Sequence, residues 1–204
     1  MNSLNPEAGA TPAPTDPAVL RIVERAATVI WRAFPYFAWR FDGRGRAFGR
    51  SDAGYLTTLV DLPPTMRDAQ VLWLAKLLSS RGMPSLLLDV QLELLARVGS
   101  RSGWGGAGAM GDAALHLRGQ RQLVLSDAHL RACDRFFLAR AAPLPHRRGI
   151  GALIAAEVAD QRLGYVAGDA TLGWLLSHGP DQESWRRACA ETRVLAQACA
   201  GAAT

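Results

Sequence analysis

Apolar side chains recur along most of the chain with the three- and four-residue spacing of an α-helix. The first run begins after Asp16-Pro17, where an aspartate precedes a proline suited to the first helical position. Arginine, glutamate and threonine take the positions between the apolar residues, as in an amphipathic helix. No segment alternates apolar and polar residues for long enough to predict a β-strand. The pattern therefore predicts an all-α protein.

Capping residues and prolines divide this pattern into about eight helices. Ser126-Asp127 and Asp169 are residue types that favour helix N-caps, and Gly82 favours a helix C-terminus. The last predicted helix carries an apolar stripe made by Trp185, Ala188, Cys189, Leu195, Ala196 and Cys199. We expect these helices to form a single globular bundle of two packed halves.

Composition predicts four regions. Residues 1–16 are rich in proline, alanine and threonine, which predicts a disordered tail. Residues 17–98 form the first helical half, which contains the segment richest in arginine and aromatic residues. Residues 99–111 hold six glycines, which predicts a flexible linker loop. Residues 112–200 form the second helical half.

The chain has 204 residues and a formal net charge of +5. Its basic residues are 22 arginines and one lysine, a bias that together with abundant alanine and glycine is typical of a GC-rich bacterial genome. The charge therefore does not by itself indicate a nucleic-acid partner, and we expect none.

The cysteines and the hydropathy pattern favour a cytoplasmic protein. Cys133, Cys189 and Cys199 are odd in number, and the last two lie about 15 Å apart along one predicted helix. That distance is too long for a disulfide, so reduced thiols are expected. No apolar run approaches the roughly 20 residues of a membrane span, so we expect no membrane insertion.

The segment 31–50 concentrates side chains that can bind anions. It holds seven of the fifteen aromatic residues, and guanidinium groups among rings can stack on them or bind a carboxylate with two hydrogen bonds. Its three glycines predict a loop from which arginines project. The candidate binding residues are Arg40, Arg44, Arg46 and Arg50. The alternative is that the rings fill the core and the arginines are structural.

The sequence identifies no catalytic residue, because no nucleophile motif has the required spacing. His129 and Cys133 lie four residues apart on one predicted helix. His129 is the best candidate for a haem axial ligand, and a buried histidine and thiol without a metal are the alternative.

The string from Tyr36 to Asp52, followed by Trp73 and Arg81-Gly82-Met83-Pro84, resembles a globin-like all-helical module of bacterial sensor and signalling proteins. The resemblance covers residues 17–98, and some such modules bind no haem. It implies a regulatory role and supplies no catalytic residue.

Three hypotheses follow. The first is a non-catalytic helical module, without a cofactor, that binds a partner protein or a small ligand. The second is a globin-like sensor that binds haem or another tetrapyrrole, with His129 as its ligand. The third is a cofactor-free enzyme. A homodimer is compatible with each of them.

Overall fold

A computed structural model describes residues 4–5, 7, 12–141, 147–180 and 182–202. Over these residues the chain is all-α, which confirms the predicted fold class, and it contains no β-strand. Part of the tail predicted for residues 1–16 lies outside the described residues. The described helices are α1 (Pro17–Ala33), α2 (Pro35–Thr57), α3 (Pro64–Ser80), α4 (Ser85–Arg101), α5 (Ala107–Gln122), α6 (Asp127–Arg140), α7 (Ile150–Arg162), α8 (Ala170–His178) and α9 (Glu183–Gly201).

Two of these helices begin where a local side-chain cap was predicted. Asp16 Oδ1 accepts a hydrogen bond from the Ala18 amide at 2.7 Å at the start of α1. Ser126 Oγ accepts from the His129 amide at 3.2 Å at the start of α6. Each cap satisfies a backbone N–H that the first helical turn leaves without a partner.

The chain packs as two compact units. The first comprises Met1–Leu72 and Leu87–Leu117, and in it α1 packs against α2. The second comprises Trp73–Leu86 and Arg118–Thr204, and in it α6, α7 and α9 pack against one another. These units interleave along the sequence, unlike the consecutive halves predicted from the glycine-rich stretch.

The glycine-rich loop is shorter than predicted, because α4 extends to Arg101 and α5 begins at Ala107. A Cβ at Gly99 would lie 2.6 Å from Trp104 Cε3, and one at Gly106 would lie 2.4 Å from Trp104 Cζ2. The two glycines therefore let the Trp104 ring pack closely against the backbone on both sides of the loop.

The arginine-rich segment is helical, so the prediction of a loop there is wrong. Helix α2 passes through all three glycines and departs from helical geometry at Asp42, with φ 52° and ψ −157°, where the helix is kinked. A positive φ is unusual for a residue with a side chain, so the strain falls on Asp42 and not on a glycine. A Cβ at Gly45 would lie 2.4 Å from Phe41 Cβ, so this glycine allows close packing within the helix.

Carboxylates from neighbouring helices cap three helix N-termini in the second unit. Asp134 of α6 accepts from the Gly151 amide at 3.2 Å, and Glu157 of α7 accepts from the Leu172 amide at 3.0 Å and from the Thr171 amide. Asp160 of α7 accepts from the Ser85 amide at 2.8 Å and from the Ser79 hydroxyl at 2.7 Å. Burial raises the pKa of all three carboxyl groups and outweighs these hydrogen bonds, which act to lower it.

Within the part of the chain that the structure describes, every helix is too short or too polar to cross a membrane.

Candidate functional site

The four candidate arginines lie on α2, and two contacts fix how this helix meets α1. Arg50 of α2 forms an ion pair with Glu24 of α1. A Cβ at Gly45 would lie 3.2 Å from Trp31 Cζ3. Later residues of α2 thus meet earlier residues of α1, so the part of α2 that follows Asp42 runs antiparallel to α1.

Arg40 is held by aromatic rings. Its Nη1 donates to Tyr36 Oη at 2.5 Å, and its guanidinium carbon lies 5.1 Å from the centre of the Phe41 ring. Tyr36 is fully buried, and Phe37 stacks on Trp31 with ring centres 6.0 Å apart. These contacts hold the Arg40 guanidinium group against rings of its own helix.

Arg44 and Arg50 are partly neutralised by carboxylates. Arg44 Nη2 and Nε donate to Glu7 Oε2 at 2.8 and 3.1 Å, with most of the Arg44 side chain exposed. Arg50 pairs with Glu24, and both side chains are about half exposed. Exposed ion pairs of this kind contribute about 0–1 kcal/mol, so a competing carboxylate can exchange with either partner.

Arg46 is exposed and forms no ion pair or hydrogen bond with any residue that the structure describes. Arg21, Arg25 and Arg32 of α1 are also exposed, and they form no ion pair or hydrogen bond with any described residue. Their spacings of four and seven residues place them within about 40° of one another around the helix axis. We call the three exposed arginines of α1 the basic face: Arg21, Arg25 and Arg32.

Sequence reasoning missed the members of this face. It assigned Arg21 and Arg25 to the polar side of an amphipathic helix and sought the site where aromatic residues were dense. The four- and seven-residue spacing was the available signal, because it places arginines on one side of a helix.

Helices α1 and α2 are basic. Residues 17–57 carry seven arginines against three carboxylates, a net charge of +4. Of the three carboxylates, Glu24 pairs with Arg50, and Asp42 Oδ1 accepts from the Gly43 amide at 2.6 Å. Glu24 is thus engaged by Arg50 of α2 rather than by an arginine of the basic face.

His129 lies in the first turn of α6, and its Nδ1 is buried without a hydrogen-bond partner among the described residues. Cys133, one turn later, is fully buried, and a Cβ at Gly151 would lie 2.3 Å from its carbonyl oxygen. Burial raises the pKa of the Cys133 thiol to about 11, so it is protonated at neutral pH.

Helix α7 thus packs closely against α6 one turn beyond His129. No three His, Cys, Asp or Glu side chains of the described ranges are grouped so as to hold a metal ion. An absorption spectrum tests the haem hypothesis directly, because a haem protein absorbs strongly in the visible range.

Comparison with known proteins adds no relative. No protein-family model, no curated protein and no solved structure gives a significant match to this chain. The resemblance to globin-like sensor modules stays a prediction.

Proposed function

We propose that the protein is a non-catalytic binding module, with a regulatory role, whose basic face docks an acidic segment of a partner protein. The observation that carries this proposal is the row of exposed arginines along one side of α1, which are Arg21, Arg25 and Arg32. These three arginines have no carboxylate partner within the described part of the chain.

The chemistry of arginine favours carboxylates as the partner groups. A guanidinium group is planar and permanently charged, and its donors match the two oxygens of a carboxylate. Arginines spaced along one side of a helix present these donors in a row. An acidic segment alongside α1 can therefore meet several of them at once, and its charge also speeds the encounter.

Aromatic rings of α1 and α2 support this role, because they hold the two helices together. Tyr36 and Phe37 are buried, and their ring contacts with Phe41 and Trp31 hold the beginning of α2 against α1. A rigid scaffold keeps the arginines in position, so less conformational entropy is lost when a partner binds.

The proposal is tested by titrating the full chain with a hexaglutamate peptide. The double variant Arg21→Gln/Arg25→Gln removes two exposed arginines from one side of α1. We expect it to bind about five- to tenfold more weakly than the wild type, because each exposed ion pair is worth about 0–1 kcal/mol.

The matched control is Arg131→Gln/Arg135→Gln. It removes two exposed arginines with the same four-residue spacing from α6 and changes the net charge equally. Retention of wild-type affinity in this control supports the proposal. Equal losses in both variants would show a general charge effect and refute it, as would tighter binding of a single-stranded oligonucleotide of the same charge.

A further inference from the structure

The segment that precedes α1 folds back onto α2. A Cβ at Gly54 would lie 2.5 Å from Leu4 Cδ1 and 3.5 Å from Pro14 Cδ, so both side chains are seated against this buried glycine. Glu7, three residues after Leu4, pairs with Arg44 at 2.8 Å. Two separate contacts, one apolar and one ionic, thus connect the segment to the same helix.

These contacts define a direction for the segment. From Leu4 to Glu7 the chain moves from Gly54 to Arg44, opposite to the direction of α2. Ten helical residues rise about 15 Å, so the two contacts are separated by about that distance along α2. The Glu7 amide donates to Asn5 Oδ1 at 3.1 Å.

Gly54 is a specific element of the contact. A glycine inside a helix costs about 0.5–1 kcal/mol relative to alanine, because its backbone is freer in the unfolded chain. At this position the missing Cβ provides the space that Leu4 fills. Gly54 therefore has a packing role, because it admits an apolar side chain from outside the helix.

We infer that the α2 surface between Gly54 and Arg44 is a docking site for an acidic peptide that carries an apolar side chain three residues before a carboxylate. The chain's own Leu4 and Glu7 occupy this site when no partner is bound. The inference rests on the proposed function, since it takes the partner to be an acidic segment, and it specifies the partner's chemistry.

Because the chain's own segment occupies the site, an external peptide must compete with it. A short tether gives the segment an effective concentration in the mM range, while its exposed ion pair is individually weak. A partner peptide with the same pair of anchors must therefore displace Leu4 and Glu7 before it binds. Weakening the internal contacts should then raise the affinity for an external peptide.

The test is a nuclear magnetic resonance titration of the full chain with a synthetic peptide of its residues 1–12. The release variant Leu4→Ala/Glu7→Gln weakens both internal anchors. We expect it to bind the peptide at least about threefold more tightly than the wild type does, because an internal competitor has been weakened. Adding Arg44→Gln should abolish this gain, whereas adding Arg46→Gln, a nearby exposed arginine, should preserve it.

Equal affinities of the wild type and the release variant would overturn the inference, as would a gain that survives Arg44→Gln. A peptide carrying Glu7→Gln that binds as well as the unmodified one would also overturn it. Circular dichroism of each variant checks that the helices persist.

The two proposals fail separately. If hexaglutamate binding depends on Arg21 and Arg25 but the affinity for the peptide of residues 1–12 does not depend on Arg44, the docking inference is wrong and the proposal for the basic face is retained. If the peptide behaves as expected but hexaglutamate does not bind, the docking site stands and the basic face is wrong.

Discussion

At the scale of single residues, the surroundings of each glycine decide what its substitution does. A Cβ at Gly106 would lie 2.4 Å from the Trp104 ring and 2.9 Å from Val60 Cγ1, whereas a Cβ at Gly108 would meet nothing within 4 Å. The first glycine allows close packing, and the second is an open position in the first turn of α5.

Gly106→Ala should therefore lower the free energy of unfolding by about 1–3 kcal/mol, the usual cost of forcing extra atoms into a packed site. Gly108→Ala, two residues away, should leave it unchanged or raise it by up to about 1 kcal/mol, because alanine favours the helix. Urea denaturation followed by tryptophan fluorescence measures both. Equal effects of the two substitutions would contradict a packed Trp104.

At the scale of helices, the buried carboxylates of α7 take the place of local caps. Asp169, at the N-cap of α8, makes no capping hydrogen bond, and its carboxylate pairs with Arg193 instead. Glu157 accepts the Thr171 and Leu172 amides in its place. One helix thus supplies a cap to another, which links the stability of α8 to that of α7.

Glu157→Met keeps the length of the side chain but removes both acceptors, leaving two buried amides without a partner. We expect it to lower the free energy of unfolding by about 1–3 kcal/mol, and Glu157→Gln to lower it less, because the amide oxygen still accepts one bond. Glu191→Gln is the control, since its exposed pair with Arg140 should contribute about 0–1 kcal/mol. The prediction would be wrong if Met and Gln were equivalent at residue 157.

The same helices show what the sequence can predict. The caps at Asp16 and Ser126 were predictable, because cap and capped amide lie within three residues. The caps from Glu157 and Asp160 were not, because they join residues 14 or more positions apart and depend on the packing of the helices.

The candidate site was predicted in part for a similar reason. The arginines of α2 were found by composition, but which of them have partners depends on Glu7 and Glu24, carboxylates outside segment 31–50. The sequence reports charge, whereas pairing is a property of the folded chain.

At the scale of the whole molecule, two groups of carboxyls give opposite pH dependences. Burial raises the pKa of Asp134, Glu157 and Asp160 above the ordinary value, which lies near about 4. The hydrogen bond from Arg193 lowers the pKa of Asp169. Burial opposes a similar shift at Asp127, but the hydrogen bond and charge of Arg121 outweigh it, and its pKa is also lowered.

A carboxyl with a raised pKa binds a proton at higher pH in the folded chain than in the unfolded chain. As the pH falls from the raised pKa towards about 4, its protonation therefore increases the free energy of unfolding. Asp127 and Asp169 have the reverse effect, because protonation breaks their arginine pairs as the pH falls below about 4. The free energy of unfolding should thus rise on mild acidification from neutral pH and then decline in strong acid.

Urea denaturation at a series of pH values measures this profile. Glu157→Gln, which cannot titrate, should reduce the rise, and an unchanged rise would show that Glu157 has an ordinary pKa in the folded protein.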